Sequence, residues 1–324
     1  MIVGQDKAVD QFASAWATRK LHHAWLLAGP KGVGKASFAE AAARRVLADA
    51  AGPPSDLPGI DTDDKHSMVK LIEAGSHPDM RWLRRVENEK TGNLARNISV
   101  DQVRGLSDLF DLSPAMSDWR VAVIDAVDEL EASGANALLK MLEEPPPNSL
   151  FFLVSHAPGR LLPTIRSRCR RLDFQPLDDD AMTSVLESRA PEISANEREK
   201  IIAMSFGSAG RALAFAELSL AKLEDAALAI LRQGDPTNAR RSDLAQELGK
   251  RGAAERYAAF LDLAPSLIAR EARKLDGPRR DRALDAYAKA REIAAIAPRL
   301  SLDPAATVFQ IGGILASVPD QPLP

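Results

Sequence analysis

A parallel α/β sheet unit followed by an all-helical remainder is the fold class this 324-residue sequence predicts, and three observations predict it. Short apolar runs alternate with amphipathic stretches through the first half, the pattern of a parallel sheet wrapped by helices. A glycine-rich loop separates the first apolar run from a helical period. Beyond Phe174 the strand signals fade, and Ala- and Leu-rich helical periods take over.

Ala24-Trp25-Leu26-Leu27-Ala28 is a compact apolar run stopped by Gly29-Pro30, which reads as a buried strand. From Lys35 to about residue 48, Phe38, Ala41, Ala42, Val46 and Leu47 recur at helical spacing, with Glu40, Arg44 and Arg45 between them. Residues 50–64 are rich in Pro, Gly and Asp with no apolar period, so they predict an exposed loop with a short helix after it. His77-Pro78-Asp79 opens an extended run, Met80-Arg81-Trp82-Leu83, and residues 88–93, with Thr91-Gly92, read as a turn. Ser99 and Gln102 have capping-box spacing ahead of Val103, Leu106 and Leu109, so a helix should start there.

Val121-Ala122-Val123-Ile124-Asp125 is a second buried strand ending in a carboxylate, and Leu150-Phe151-Phe152-Leu153-Val154-Ser155 a third ending in a hydroxyl. Between them Ala135, Leu138, Leu139 and Leu142 form a helical face that Pro145-Pro146-Pro147 terminates. Polar residues thus gather at the carboxyl ends of strands, where open α/β sheets bind ligands. Gln175-Pro176-Leu177 marks a boundary, residues 207–210 a turn between short helices, and Gly234-Asp235-Pro236 a further break; the rest reads as a helical bundle.

Composition excludes several classes. Cys169 is the single cysteine, so internal disulfides and thiolate zinc modules are excluded, which fits a reducing cytoplasm. The first twenty residues mix acid, base and Trp16 and show no apolar signal core, predicting no export. No window approaches the roughly 18 uninterrupted apolar residues of a membrane helix. A net charge of −3 argues against coating nucleic acid through the overall field, although 14 Lys or Arg against 9 Asp or Glu between Arg240 and Arg299 leave the last third basic. No aromatic-rich platform for single strands stands in that region, and no paired carboxylates of a polymerase or exonuclease site can be identified.

Gly29-Pro30-Lys31-Gly32-Val33-Gly34-Lys35 matches G-x-x-x-x-G-K between a strand and a helix, the setting a phosphate loop requires. Its glycines admit phosphate oxygens to backbone amides, the helix N-terminus adds a favourable dipole, and Lys35 a point charge. The next position is Ala36, where a hydroxyl would ligate Mg²⁺; Ser37, about 100° further round the helix, is no simple substitute. Asp125 fits the Walker B carboxylate, but Ala126 follows where many ATPases place the glutamate that orients water. Asp128 and Glu129 lie further along. Two losses, one at the metal and one at the water, predict nucleotide binding without efficient hydrolysis.

Further residues carry a family resemblance. Val3-Gly4-Gln5, His23-Ala24, Asn136-Ala137-Leu138-Leu139-Lys140, Leu142-Glu143-Glu144-Pro145-Pro146, residues 161–164 and Ser167-Arg168-Cys169 together resemble the clamp-loader branch of AAA+ proteins. The match is dense over residues 3–174 and thin beyond, and within the branch it is most similar to the delta prime family of bacterial DNA polymerase III. The resemblance implies an AAA+ P-loop domain over 1–174, a small helical lid over 175–216 and an all-α collar over 217–324. It implies a cytoplasmic hetero-pentameric ring with motor subunits of gamma/tau type and a clamp-opening subunit of delta type, acting on a sliding clamp and primed DNA. Motor subunits of the branch carry the Walker A hydroxyl and an acidic Walker B pair; Ala36 and Ala126 depart from them.

In that family the arginine of Ser167-Arg168-Cys169 acts in trans on a neighbour's ATP, which makes Arg168 the candidate catalytic residue. Ser155 takes the approximate sensor 1 place, with His156 beside it as an alternative. Gly207-Ser208-Ala209-Gly210-Arg211 resembles the sensor 2 segment, with Gly210 where motor subunits place an arginine. Nucleotide contacts are expected from Gly29, Pro30, Lys31, Gly32, Val33, Gly34, Lys35, Ala36, Ser37, Asp125 and Ser155. Many relatives hold zinc with four cysteines after the Walker A helix; residues 50–77 have none, so no zinc is expected, and His66, His77, Asp61, Asp63 and Asp64 read as loop polarity. Three readings follow: an ATPase-deficient ring subunit supplying Arg168; an active motor-type ATPase in which Ser37 and Asp128 or Glu129 compensate; and a DNA-binding adaptor using the basic last third.

Overall fold

The structure, a computed structural model, describes residues 2–86 and 95–319; the turn expected at 88–93 lies outside them. Packing divides the chain into two units, one running to Arg189 and taking in Ser205–Arg211, the other formed by Ala190–Met204 and the chain from Ala212 onward. Residues 175–216 contribute to both.

The first unit is built on five parallel strands, β1 (Ala24–Ala28), β2 (Met80–Leu83), β3 (Arg120–Asp125), β4 (Ser149–Ser155) and β5 (Arg170–Asp173), in the order β2-β3-β4-β1-β5. The three apolar runs read as strands form the centre of this sheet. Helices α1 (Asp6–Ala17), α2 (Lys35–Ala51), α3 (Ser67–Glu73), α4 (Val100–Arg104), α5 (Leu106–Asp111), α6 (Ala132–Glu143), α7 (Pro163–Arg166) and α8 (Asp179–Arg189) complete it.

Because side chains alternate across a strand, the central strands feed two cores. Trp25, Leu27, Leu150, Phe152 and Val154 join Phe12, Phe38 and Phe174 on one face. Leu26, Ile124, Phe151 and Leu153 join Phe110, Leu138 and Leu142 on the other. Such doubly covered strands read as unbroken apolar runs. The edge strand β5 buries only Leu172 of Arg170-Arg171-Leu172-Asp173, and sequence periodicity passed over it. The helix expected from Ser99 has the full capping box, then breaks at Gly105 into α4 and α5.

The remaining helices are α9 (Ala195–Ser205), α10 (Ala209–Glu217), α11 (Leu220–Gln233), α12 (Ala239–Leu248), α13 (Ala254–Ala272), α14 (Gly277–Leu300) and α15 (Pro304–Ala316). The second unit has its own core, with Leu223, Ile230, Phe260, Leu267, Ile268, Val308, Ile311 and Leu315 at its centre. The break expected at Gly234-Asp235-Pro236 separates α11 from α12. No helix among the described residues is long and apolar enough to cross a membrane.

Candidate functional site

The carboxyl edge of the sheet assembles the site. In register Ala28 lies beside Ser155, and Asp125 beside Val154, so β1, β3 and β4 end at one level. After β1 the chain turns through Gly32 and Gly34, at φ +81° and +97°, a region that glycine enters cheaply. Gly34 caps α2, whose first-turn amides have no helical acceptors and are available to an anion.

Lys35 is only 2% exposed. Its ammonium donates to the carbonyl of Gly29 at 2.7 Å and to that of Pro30, so the charge is folded back on its own loop. Burial pushes its pKa down to about 8, against the opposing pull of Asp125 and Asp128. Burial likewise raises the Asp125 carboxyl, with His156 the largest opposing influence. It also lowers His156, helped by the Lys35 charge. These groups sense one another, as perturbed groups at binding sites do.

Ser155 is wholly buried, and its hydroxyl donates to Asp128 Oδ1 at 2.8 Å while the backbone N–H of His156 donates to the other Asp128 oxygen. The Glu129 carboxylate pairs with Arg85 Nε at 2.9 Å. Both carboxylates weighed as substitutes for the missing Walker B glutamate therefore have protein partners. Ser37 is exposed on α2, whereas Lys35 and Phe38 face inward. The donor set suits phosphate, with backbone amides and an ammonium; it suits Mg²⁺ poorly, since Ala36 offers no oxygen.

Two contacts that sequence reasoning missed hold the loop from outside. Ser208 Oγ donates to the carbonyl of Lys31 at 3.0 Å, and the Gly210 N–H to that of Gly32 at 2.8 Å. A Cβ on Gly210 would stand 3.0 Å from Gly32 Cα, so glycine at this position allows two backbones to touch. Gln5, also buried, donates through Nε2 to the carbonyls of Val33 at 3.1 Å and Gln175 at 2.8 Å. The Gly-Gln and Gly-Ser-x-Gly segments were visible in the sequence, but their partners lie roughly 30 to 180 residues away, beyond any periodic signal.

Arg168 follows α7 and makes its polar contacts with Glu143 and the Thr164 carbonyl. Cys169 packs against the core beside α6, and burial pushes its thiol up to about 12, which disfavours the thiolate. The His66 ring caps α3, and His77 lies 3.1 Å from Met68 Sδ and accepts from the Asp79 N–H. No group of three metal-binding side chains occurs among the described residues.

The family model described as DNA polymerase III, delta subunit, matches residues 4–178. The DNA polymerase III subunit delta' of Pseudomonas aeruginosa is 36% identical over 190 residues, covering 57% of this chain and 53% of that protein. The subunit tau of Bacillus subtilis is 30% identical over 237 residues, covering 70% of this chain and 39% of its own. The chain thus matches about half or less of the length of these two relatives. A solved gamma subunit-related protein from Thermotoga maritima aligns over 97% of this chain and 99% of its own at 18% identity and a TM-score of 0.46.

Proposed function

Since the chain belongs to the DNA polymerase III delta subunit family, among the delta prime clamp-loader subunits, we propose that it serves as a ring subunit with a silent ATPase site. In this reading it supplies Arg168 to the ATP of a neighbouring motor subunit of gamma/tau type. The partners are motor and delta-type clamp-opening subunits in a hetero-pentamer that places a sliding clamp on primed DNA, in the bacterial cytoplasm. Its parts are the P-loop domain 1–174, the lid 175–216 and the collar 217–324.

One observation carries the reading: both carboxylates weighed as replacements for the missing water-orienting glutamate are already bound, Asp128 to Ser155 and His156, and Glu129 to Arg85. The phosphates of a nucleotide would be held by the backbone N–H groups of residues 31–35 and by Lys35, with Asp125 and Ser155 at the strand ends beside the loop. A bound ATP would supply negative charge that releases the Lys35 ammonium from its own loop carbonyls. Hydrolysis in place lacks both the hydroxyl at Ala36 and the carboxylate at Ala126. A guanidinium offered in trans needs neither, because its role is to neutralise charge on phosphate oxygens, worth roughly 10³ to 10⁵ in rate at the site it serves.

The test is reconstitution with motor, delta-type and clamp components. Arg168→Ala should abolish most turnover at the neighbouring site without loss of assembly, and Lys35→Ala should have a weak effect. An isolated chain that turns over ATP in a manner abolished by Lys35→Ala would establish the motor-type reading instead.

A further inference from the structure

We propose that Glu143 is the positioning residue for Arg168, fixing the guanidinium in the pose from which it reaches a neighbouring subunit's triphosphate; this rests on the trans role proposed above. Arg168 Nη2 stands 2.7 Å from Glu143 Oε1, and Nη1 donates to the Thr164 carbonyl at 3.0 Å. A guanidinium has five N–H donors in one plane. Two of them are engaged on the protein side, and the other three remain for phosphate oxygens. The Arg168 side chain is 34% exposed, so the head is anchored yet open to solvent.

The sequence around the pair is built to hold it. The helix α6 ends at Glu143, ahead of Glu144 and Pro145, so the proline sets the place of this carboxylate at the helix end. Leu142, next to it, is buried in the same core that Cys169, next to Arg168, packs against. Each partner of the ion pair is therefore flanked by a neighbour pinned in one apolar cluster. Ser167 Oγ donates to the Thr164 carbonyl at 3.0 Å, tightening the turn that delivers the arginine. Each residue of Ser167-Arg168-Cys169 then has a distinct task, and Glu143 links this segment to Leu142-Glu143-Glu144-Pro145-Pro146, some 25 residues earlier.

A carboxylate contact of this kind is worth little to stability at a half-exposed site. Its value lies in removing the freedom of a long side chain before the phosphate arrives, since misplacement of a catalytic group by an ångström is costly in rate.

The experiment uses the fully assembled clamp loader and measures ATP turnover in the presence of clamp and primed DNA for Glu143→Gln, Glu143→Asp, Arg168→Ala and the double variant Glu143→Gln with Arg168→Ala. We expect Glu143→Gln to lower kcat about ten-fold at the served site with KM for ATP unchanged. Glu143→Asp should recover much of it, and Glu143→Gln should add nothing once Arg168 is gone. Glu144→Gln, at the adjacent carboxylate, should behave as wild type. If Arg168→Ala lowers turnover while Glu143→Gln leaves it unchanged or raises it, the positioning role is overturned and the trans role stands. If Arg168→Ala leaves turnover unchanged in an intact complex, both are overturned.

Discussion

At Gly210 two considerations pull in opposite directions, and their sizes decide the outcome. Alanine is the better helix former by up to about 1 kcal/mol, which on propensity alone would stabilise α10. A Cβ there meets Gly32 Cα at 3.0 Å, and that neighbour is backbone, which cannot rotate away. The overpacking cost of about 1–3 kcal/mol should prevail. Gly210→Ala is expected to lower the denaturant midpoint, and a raised midpoint would show that the contact yields. Lys35 offers a second test at this scale. Its ammonium is disfavoured by burial, so between about pH 8 and 10.5 the unfolded chain holds a proton that the folded chain lacks. In that window this group makes the fold more stable as pH rises. Phosphate binding runs the other way, because it needs the charged form. Nucleotide affinity measured by titration should be steady up to about pH 8 and weaken above it, with no such break in Lys35→Ala.

Among the elements, legibility followed burial. The strands β1, β3 and β4 are enclosed on both faces, and their unbroken apolar runs announced them. The edge strand β5 is exposed at three of four positions and had no such run to show. Pro265 lies inside α13, where local rules place a break, because burial against the second core outweighs the lost hydrogen bond. The capping box at Ser99 was legible because both partners are three residues apart. Asp79 was not, since its carboxylate accepts from the N–H groups of Ala115, Met116 and Ser117, at 2.7, 2.8 and 3.1 Å, more than 30 residues away. Loss of these two side chains should differ in cost. Ser99→Ala removes a part-buried cap and should cost about 1 kcal/mol. Asp79→Ala leaves three amides unpaired around a buried site and should cost about 3 kcal/mol or more. Chemical unfolding of both variants checks the order.

At the scale of the whole molecule, the glycine-rich loop between β1 and α2 could be read from spacing alone, whereas Arg168 became a candidate only through a resemblance, because an arginine in a basic run has no local signature. The ion pair with Glu143 belongs to the fold and became visible only there. The division into two units has a consequence that aromatic residues make measurable. Trp16, Trp25, Trp82 and Trp119 all belong to the sheet unit, while Tyr257 and Tyr287 belong to the helical one. Tryptophan emission therefore reports on the first unit, and far-ultraviolet dichroism on helices of both. Phe260 is wholly buried in the second core, and Phe260→Ala should remove about 3–5 kcal/mol there through lost transfer and the cavity left behind. Separate cores need not unfold together. The variant is expected to shift the dichroism transition to lower denaturant and leave the tryptophan midpoint in place. A tryptophan midpoint that moves by the same amount would mean that the two units unfold as one cooperative body.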